Sequence, residues 1–112
     1  MKTLMIAAAS LMLISTPALS AEPIVGKWKT ESGETASINA CGSNYCVKLE
    51  TGKHKGKQIG KLAGTGGTYH GEITDPANDK TYAGSGSVNG AKLSMKGCVL
   101  KILCKTQTWS RL

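Results

Sequence analysis

From residue 24 onward the chain is a series of short runs in which apolar and polar residues take alternate positions. Ala36, Ile38 and Ala40 share one face of such a run; Tyr45, Val47 and Leu49 share a face of the next; Ala91, Leu93 and Met95 do so later. Their neighbours Lys48, Glu50, Lys92, Ser94 and Lys96 fall on the opposite face. A period of two is that of a half-buried strand, because successive strand side chains point to opposite sides. No window sustains a helical period. The pattern predicts eight strands: Ile24–Thr30, Thr35–Ala40, Tyr45–Thr51, Lys57–Leu62, Thr68–Thr74, Thr81–Val88, Ala91–Lys96 and Cys104–Arg111.

The breaks between runs have turn chemistry. Ser32-Gly33, Gly42-Ser43-Asn44, Thr65-Gly66-Gly67 and Asn89-Gly90 each separate two runs. Asn-Gly favours a tight hairpin because both residues tolerate positive φ. Strands of similar length joined by hairpins predict an all-β, antiparallel up-and-down meander, and eight strands suffice to close a barrel without free edges. One stretch breaks the pattern. Val99-Leu100-Lys101-Ile102-Leu103 is apolar and bracketed by cysteines, and is expected to form a helical turn or a hydrophobic loop over the barrel mouth.

The first residues follow a different rule. Lys2 precedes an apolar run from Leu4 to Ile14, and Pro17-Ala18-Leu19-Ser20-Ala21 supplies small residues. This is the layout of an export signal. Cleavage is expected after Ser20, with Ala21 as the alternative. The run is shorter than the ~20 residues a membrane anchor needs, so no transmembrane segment is expected in the mature chain. The first cysteine is Cys41, too far from the cut for a lipid anchor. Residues 1–20 are therefore read as a signal peptide and 21–112 as a single barrel domain, periplasmic or secreted.

Composition then adds a constraint. The mature domain of about 92 residues is small for a self-sufficient core, and its net charge falls from +7 to about +6 with loss of Lys2. Small exported domains are often stapled, and four cysteines in an oxidising compartment read as two disulfides. The spacing favours two local loops, Cys41 with Cys46 and Cys98 with Cys104, each contributing roughly 2 kcal/mol. Crossed pairing is the alternative and would set the two hairpins side by side. Zinc ligation is disfavoured by the C-x4-C and C-x5-C spacings.

Few residues suggest chemistry. Thr51 to Lys57 is the most basic stretch, with Lys53, Lys55 and Lys57. It lacks the glycine spacing and the Ser or Thr of a phosphate loop. It reads as a solvated hairpin loop or as a patch for an anionic surface. His54 and His70 lie on separate runs. Asp75, Asn78 and Asp79 lack calcium-loop spacing, and Asp75-Pro76 reads as a turn initiator. No G-x-S-x-G elbow appears, and the seven carboxylates form no pair that sequence can place in one cleft. Neither catalysis nor a cofactor is expected, and nucleic acid is not an expected partner. The aromatics Tyr45, Tyr69, Tyr82, Trp28 and Trp109 are core candidates, some of which could line a small cavity.

Gly26-x-Trp28 near the start and Arg111 near the end resemble the calycin, or lipocalin-like, arrangement. There a first-strand tryptophan packs across the barrel end under a basic residue from the last strand. A guanidinium stacked on an indole is worth about 1–2 kcal/mol when partly desolvated. More of the chain resembles a family of small exported bacterial proteins with a calycin-type barrel and no assigned function. The matching stretches are Ile24 to Trp28, the Cys41/Cys46 pair, Gly71 to Pro76, Lys80-Thr81-Tyr82, Leu93 to Cys98, and Cys104 through Arg111. This chain departs from the family at Asn78-Asp79-Lys80, where Asp-Gly-Lys is usual. The resemblance implies no catalytic residues. The expected function is non-enzymatic binding of a small apolar or amphipathic ligand, or of an anionic envelope component. Candidate contacts are Tyr45, Tyr69, Tyr82, Trp109, Lys53, Lys55 and Lys57. The alternative is an interaction module with a filled barrel that acts through the basic loop.

Overall fold

The computed structural model describes residues 22–99 and 103–112. The expected signal peptide and the centre of the apolar 99–103 stretch lie outside them. The described residues form eight strands: β1 Gly26–Lys29, β2 Thr35–Cys41, β3 Asn44–Leu49, β4 Gln58–Thr65, β5 Thr68–Asp75, β6 Lys80–Asn89, β7 Lys92–Val99 and β8 Leu103–Arg111. Each pairs antiparallel with its chain neighbour, and β8 returns to β1, so the sheet closes into an all-β, calycin-like barrel.

The alternation locates these strands, and the ladder then adjusts their ends. β4 runs past Leu62 because Ala63, Gly64 and Thr65 continue the pairing with His70, Tyr69 and Thr68 up to a two-residue Gly66-Gly67 turn. Ala91 leaves β7 because Asn89 pairs with Lys92, which places Gly90 and Ala91 in the turn between them. Ala40 is exposed rather than buried with Ala36 and Ile38, since it lies on the barrel rim close to the Gly42-Ser43 turn.

The inward positions carry the core. Ile24, Trp28, Ala36, Ile38, Val47, Leu62, Tyr69 and Leu93 are fully buried, and Leu49, Ile59, Met95 and Trp109 nearly so. Each large side chain removed from water contributes about 1.5–3 kcal/mol, offset by the cost of ordering it.

The meander sorts the connections onto two ends. One end holds the segment before β1, the turns at 42–43, 66–67 and 90–91, and the chain terminus. The opposite end holds the connections at 30–34, 50–57 and 76–79 and the β7–β8 hairpin end. The seam is short: β1 pairs with β8 only through Trp28 with Arg111 and Lys29 with Ser110. The Glu31 carboxylate extends the seam by accepting the Thr108 N–H at 2.7 Å.

Candidate functional site

One end of the barrel is plugged. The Trp28 indole is fully buried and donates its N–H to the Ile24 carbonyl at 2.9 Å. The Arg111 guanidinium lies over the ring, 4.2 Å from its centroid. The same guanidinium donates to the carbonyls of Val25, at 3.3 Å, and Pro23. One side chain thus ties the last strand to the segment leading into the first. Gly26 makes room for it. Its φ is +138°, and a Cβ there would stand 3.1 Å from an Arg111 nitrogen. Tyr69 reinforces the plug, meeting Tyr45 edge-on at 5.7 Å between centroids and donating to Glu22 at 2.9 Å. Burial, and then the hydrogen bond to Glu22, raise the Tyr69 phenol above its ordinary value.

The other end is hollow. A cavity of about 460 Å³ opens there. Ile59, Ile73, Met95 and Trp109 supply much of its apolar lining, with Tyr82, Pro76, Val99 and Leu103 adding to it. Asp75 and Lys105 are the charged side chains among its described lining residues. The geometry follows from strand phase. Counting inward positions from Leu93 and Met95 along β7 brings Gly97 and Val99 to the cavity. Counting back from Trp109 along β8 brings Gln107 and Lys105. Gly97 leaves space: a Cβ built on it meets nothing within 4 Å.

Of the aromatics expected to contact a ligand, the cavity takes Tyr82 and Trp109. Tyr45 and Tyr69 belong to the plugged end, because β3 and β5 begin there. Lys53 and Lys55 are exposed on the β3–β4 connection, at the hollow end but outside the lining. Lys57 is held instead by an ion pair with Asp79 and a 3.4 Å contact to the Pro76 carbonyl, which ties the basic loop to the β5–β6 turn. Asp79 is the one described non-glycine residue with positive φ, +60°. His54 and His70 lie on separate elements. Glu50 accepts from Ser37 at 2.5 Å, and this bond, with Lys27, Lys48 and Lys55 nearby, lowers its carboxyl below the ordinary value.

Both disulfides are local, Cys41–Cys46 and Cys98–Cys104, and no cysteine is free. The first bridges the β2–β3 hairpin. The second joins directly opposed residues of β7 and β8, just behind Val99 and Leu103. Two disulfides suit an oxidising, extracytoplasmic environment.

Val99 and Leu103 stand at the mouth, where the apolar stretch is expected, whereas Ile59, Ile73, Met95 and Gly97 are cavity-lining residues that no sequence motif singles out. Their inward phase could be counted, but which inward residues fill the barrel and which leave it empty could not.

The arrangement defines a small closed β-barrel, plugged at one end and carrying an apolar mouth at the other. The chain belongs to the bacterial family described as "Uncharacterized protein conserved in bacteria (DUF2147)", whose model matches residues 55–111. The matched stretch runs from the basic loop through Arg111 and includes the strands that contribute most of the cavity. No curated protein and no solved structure matches the chain.

Proposed function

We propose that this protein is a non-enzymatic binding protein of the bacterial envelope, working in the periplasm or as a secreted protein. Its cavity takes one small apolar or amphipathic molecule. The observation that carries this reading is the cavity. Its volume of about 460 Å³ falls in the range of small-molecule sites, ~300–1,000 Å³. Its wall is mostly aliphatic and aromatic, with few polar groups, which suits a ligand whose buried part is apolar. A filled barrel acting through its surface is supported less well, because side chains fill only the plugged half. The calycin resemblance adds support through the Trp28–Arg111 closure, since it leaves the opposite end as the way in.

Gly97 offers the test. Its backbone does not require positive φ and its Cβ direction is empty, so Gly97→Phe inserts a ring into the mouth with little strain. Binding is measured with the apolar fluorophore N-phenyl-1-naphthylamine, and circular dichroism checks the fold. Wild type is expected to bind one equivalent, quench or shift Trp109 emission, and lose this on Gly97→Phe while melting normally. Absence of probe binding by wild type, or unchanged binding by the folded variant, would sink the reading.

A further inference from the structure

One polar side chain sits deep in the cavity, and its direction is fixed. Gln107 lines the wall from β8, opposite Met95. It lies two inward positions from Leu103, roughly 14 Å along the strand. Met95 and Trp109 beside it are almost fully buried. The Trp109 indole donates its N–H to the Gln107 amide at 3.0 Å. An indole N–H can only donate, so the amide atom that faces it is the oxygen. Nε2 is then the other end of the amide, with two N–H groups to give. Among the described residues no acceptor bonds it, and no fully buried side-chain nitrogen or oxygen lacks a partner. Nε2 therefore reaches open space, and the space that Gln107 lines is the cavity.

The other polar groups of the described lining are placed differently. The Thr74 hydroxyl is bonded to that of Thr81 at 2.9 Å, and one Asp75 oxygen accepts the Ala77 N–H. Both residues stand at the mouth end of β5, and Tyr82 stands near the start of β6 at the same end. Lys105 is exposed, one inward position nearer the mouth than Gln107. At the depth of Met95 and Trp109, the amide is the one polar side chain of the described lining.

We infer that the ligand carries a neutral carbonyl oxygen at its buried end, and that Gln107 Nε2 donates to it. This rests on the cavity being a ligand site. A hydrocarbon filling the cavity strips water from Nε2 and returns no acceptor, which costs affinity. A carbonyl oxygen restores the bond. An ionised carboxylate is disfavoured at that depth, because the donor is neutral and a buried charge without a counter-ion is strongly penalised. A charged group stays at the mouth, in water. The ligand class is an apolar ketone, ester or amide whose body lies along Ile59, Ile73 and Met95.

Two ligands of one shape make the test. They are 2-acetylnaphthalene and 2-isopropenylnaphthalene, in which a methylene replaces the oxygen. Each is used to displace N-phenyl-1-naphthylamine from wild type, Gln107→Leu and Gln107→Glu, with circular dichroism to check the fold. The ketone-to-alkene affinity ratio is compared between proteins, so the ligands' own difference in hydration cancels. Gln107→Leu should lower the ratio about tenfold. Gln107→Glu keeps an oxygen for Trp109 but replaces the donor by a second oxygen, and should lower the ratio at least as far. If one variant does not fold, the other carries the test. Three results would overturn the inference. An unchanged ratio in the folded variants, with the fluorophore still bound by wild type, would refute the donor and leave the cavity reading standing. Tighter binding of 2-naphthoate than of the ketone by wild type would assign the site to a charged group. Failure of wild type to bind the fluorophore would remove both readings.

Discussion

Removing the Trp28–Arg111 closure tests how the two chain ends hold each other. Trp28 is wholly buried, and Trp28→Ala deletes an indole and its bond to Ile24. Deletions of this size from a packed core cost about 3–5 kcal/mol. Arg111 is more exposed, so the effect of Arg111→Ala is smaller. It loses the stacking on the ring, worth about 1–2 kcal/mol, and the packing of its stem. It also loses donors to Val25 and Pro23, which pin the segment before β1.

The two losses should not add. Without the indole the guanidinium covers nothing, and without the guanidinium the indole is less enclosed. A double-mutant cycle should therefore show coupling of at least ~0.5 kcal/mol. Arg111→Lys should recover only part of the loss, because an ammonium cannot lie flat on a ring or donate in two directions from one plane. The assay is urea unfolding followed by far-ultraviolet circular dichroism with disulfides intact. At ~1 kcal/mol per molar urea, each kcal/mol lost lowers the midpoint by about 1 M. If Trp28→Ala does not fold, Trp28→Phe supplies the cycle at smaller amplitude. Strictly additive losses would refute the closure as the element that joins β1 to β8.

Asp79 holds a left-handed φ of +60° where glycine would be unstrained, but it also pairs with Lys57. Asp79→Gly should change the melting temperature little, relief of strain balancing an exposed pair worth about 0–1 kcal/mol. Asp79→Ala loses the pair and keeps the strain, so it should melt below both; the reverse order would show that the turn is not strained. The Ser37–Glu50 bond should give stability that depends on pH. Glu50 has its folded value lowered, so the contribution is complete above the ordinary value of 4.5 and is lost as pH falls through the folded value. Wild type and Ser37→Ala should differ in urea midpoint at neutral pH and converge in acid; a gap independent of pH would count against it. Tyr69 has the opposite sign. Its raised phenol means a contribution that is present below pH 10 and lost above it, so Tyr69→Phe should flatten the alkaline fall in stability measured by the same unfolding curves. Finally, the Cys98→Ser/Cys104→Ser pair should lower stability by roughly 2 kcal/mol. An unchanged midpoint would show that the hairpin needs no bridge.

Local rules in the sequence determined most of the architecture. Alternation at Ala36 to Leu49 and at Leu93 and Met95, with Gly and Asn between runs, is enough to specify strands and hairpins, because a strand's inward set is decided by a period of two. The spacing of Cys41 with Cys46, and of Cys98 with Cys104, is short enough for a hairpin to bring each pair together, though crossed pairing remained open until the registers were known. Gly26, Trp28 and Arg111 could be singled out by residue type. That Arg111 also reaches the carbonyls of Pro23 and Val25 could not, since β1 and β8 are separated by almost the whole chain. The tertiary structure alone decided which inward side chains meet. Tyr45 and Tyr69 look like Tyr82 and Trp109 in sequence, yet the direction of their strands sends the first two to the plug and Tyr82 to the cavity, while Trp109, opposite Leu93 toward the plugged end of β8, also joins the cavity lining. The void itself is a sum over eight strands, set by how the volumes of facing residues fill a barrel of given width, and no single run contains that information.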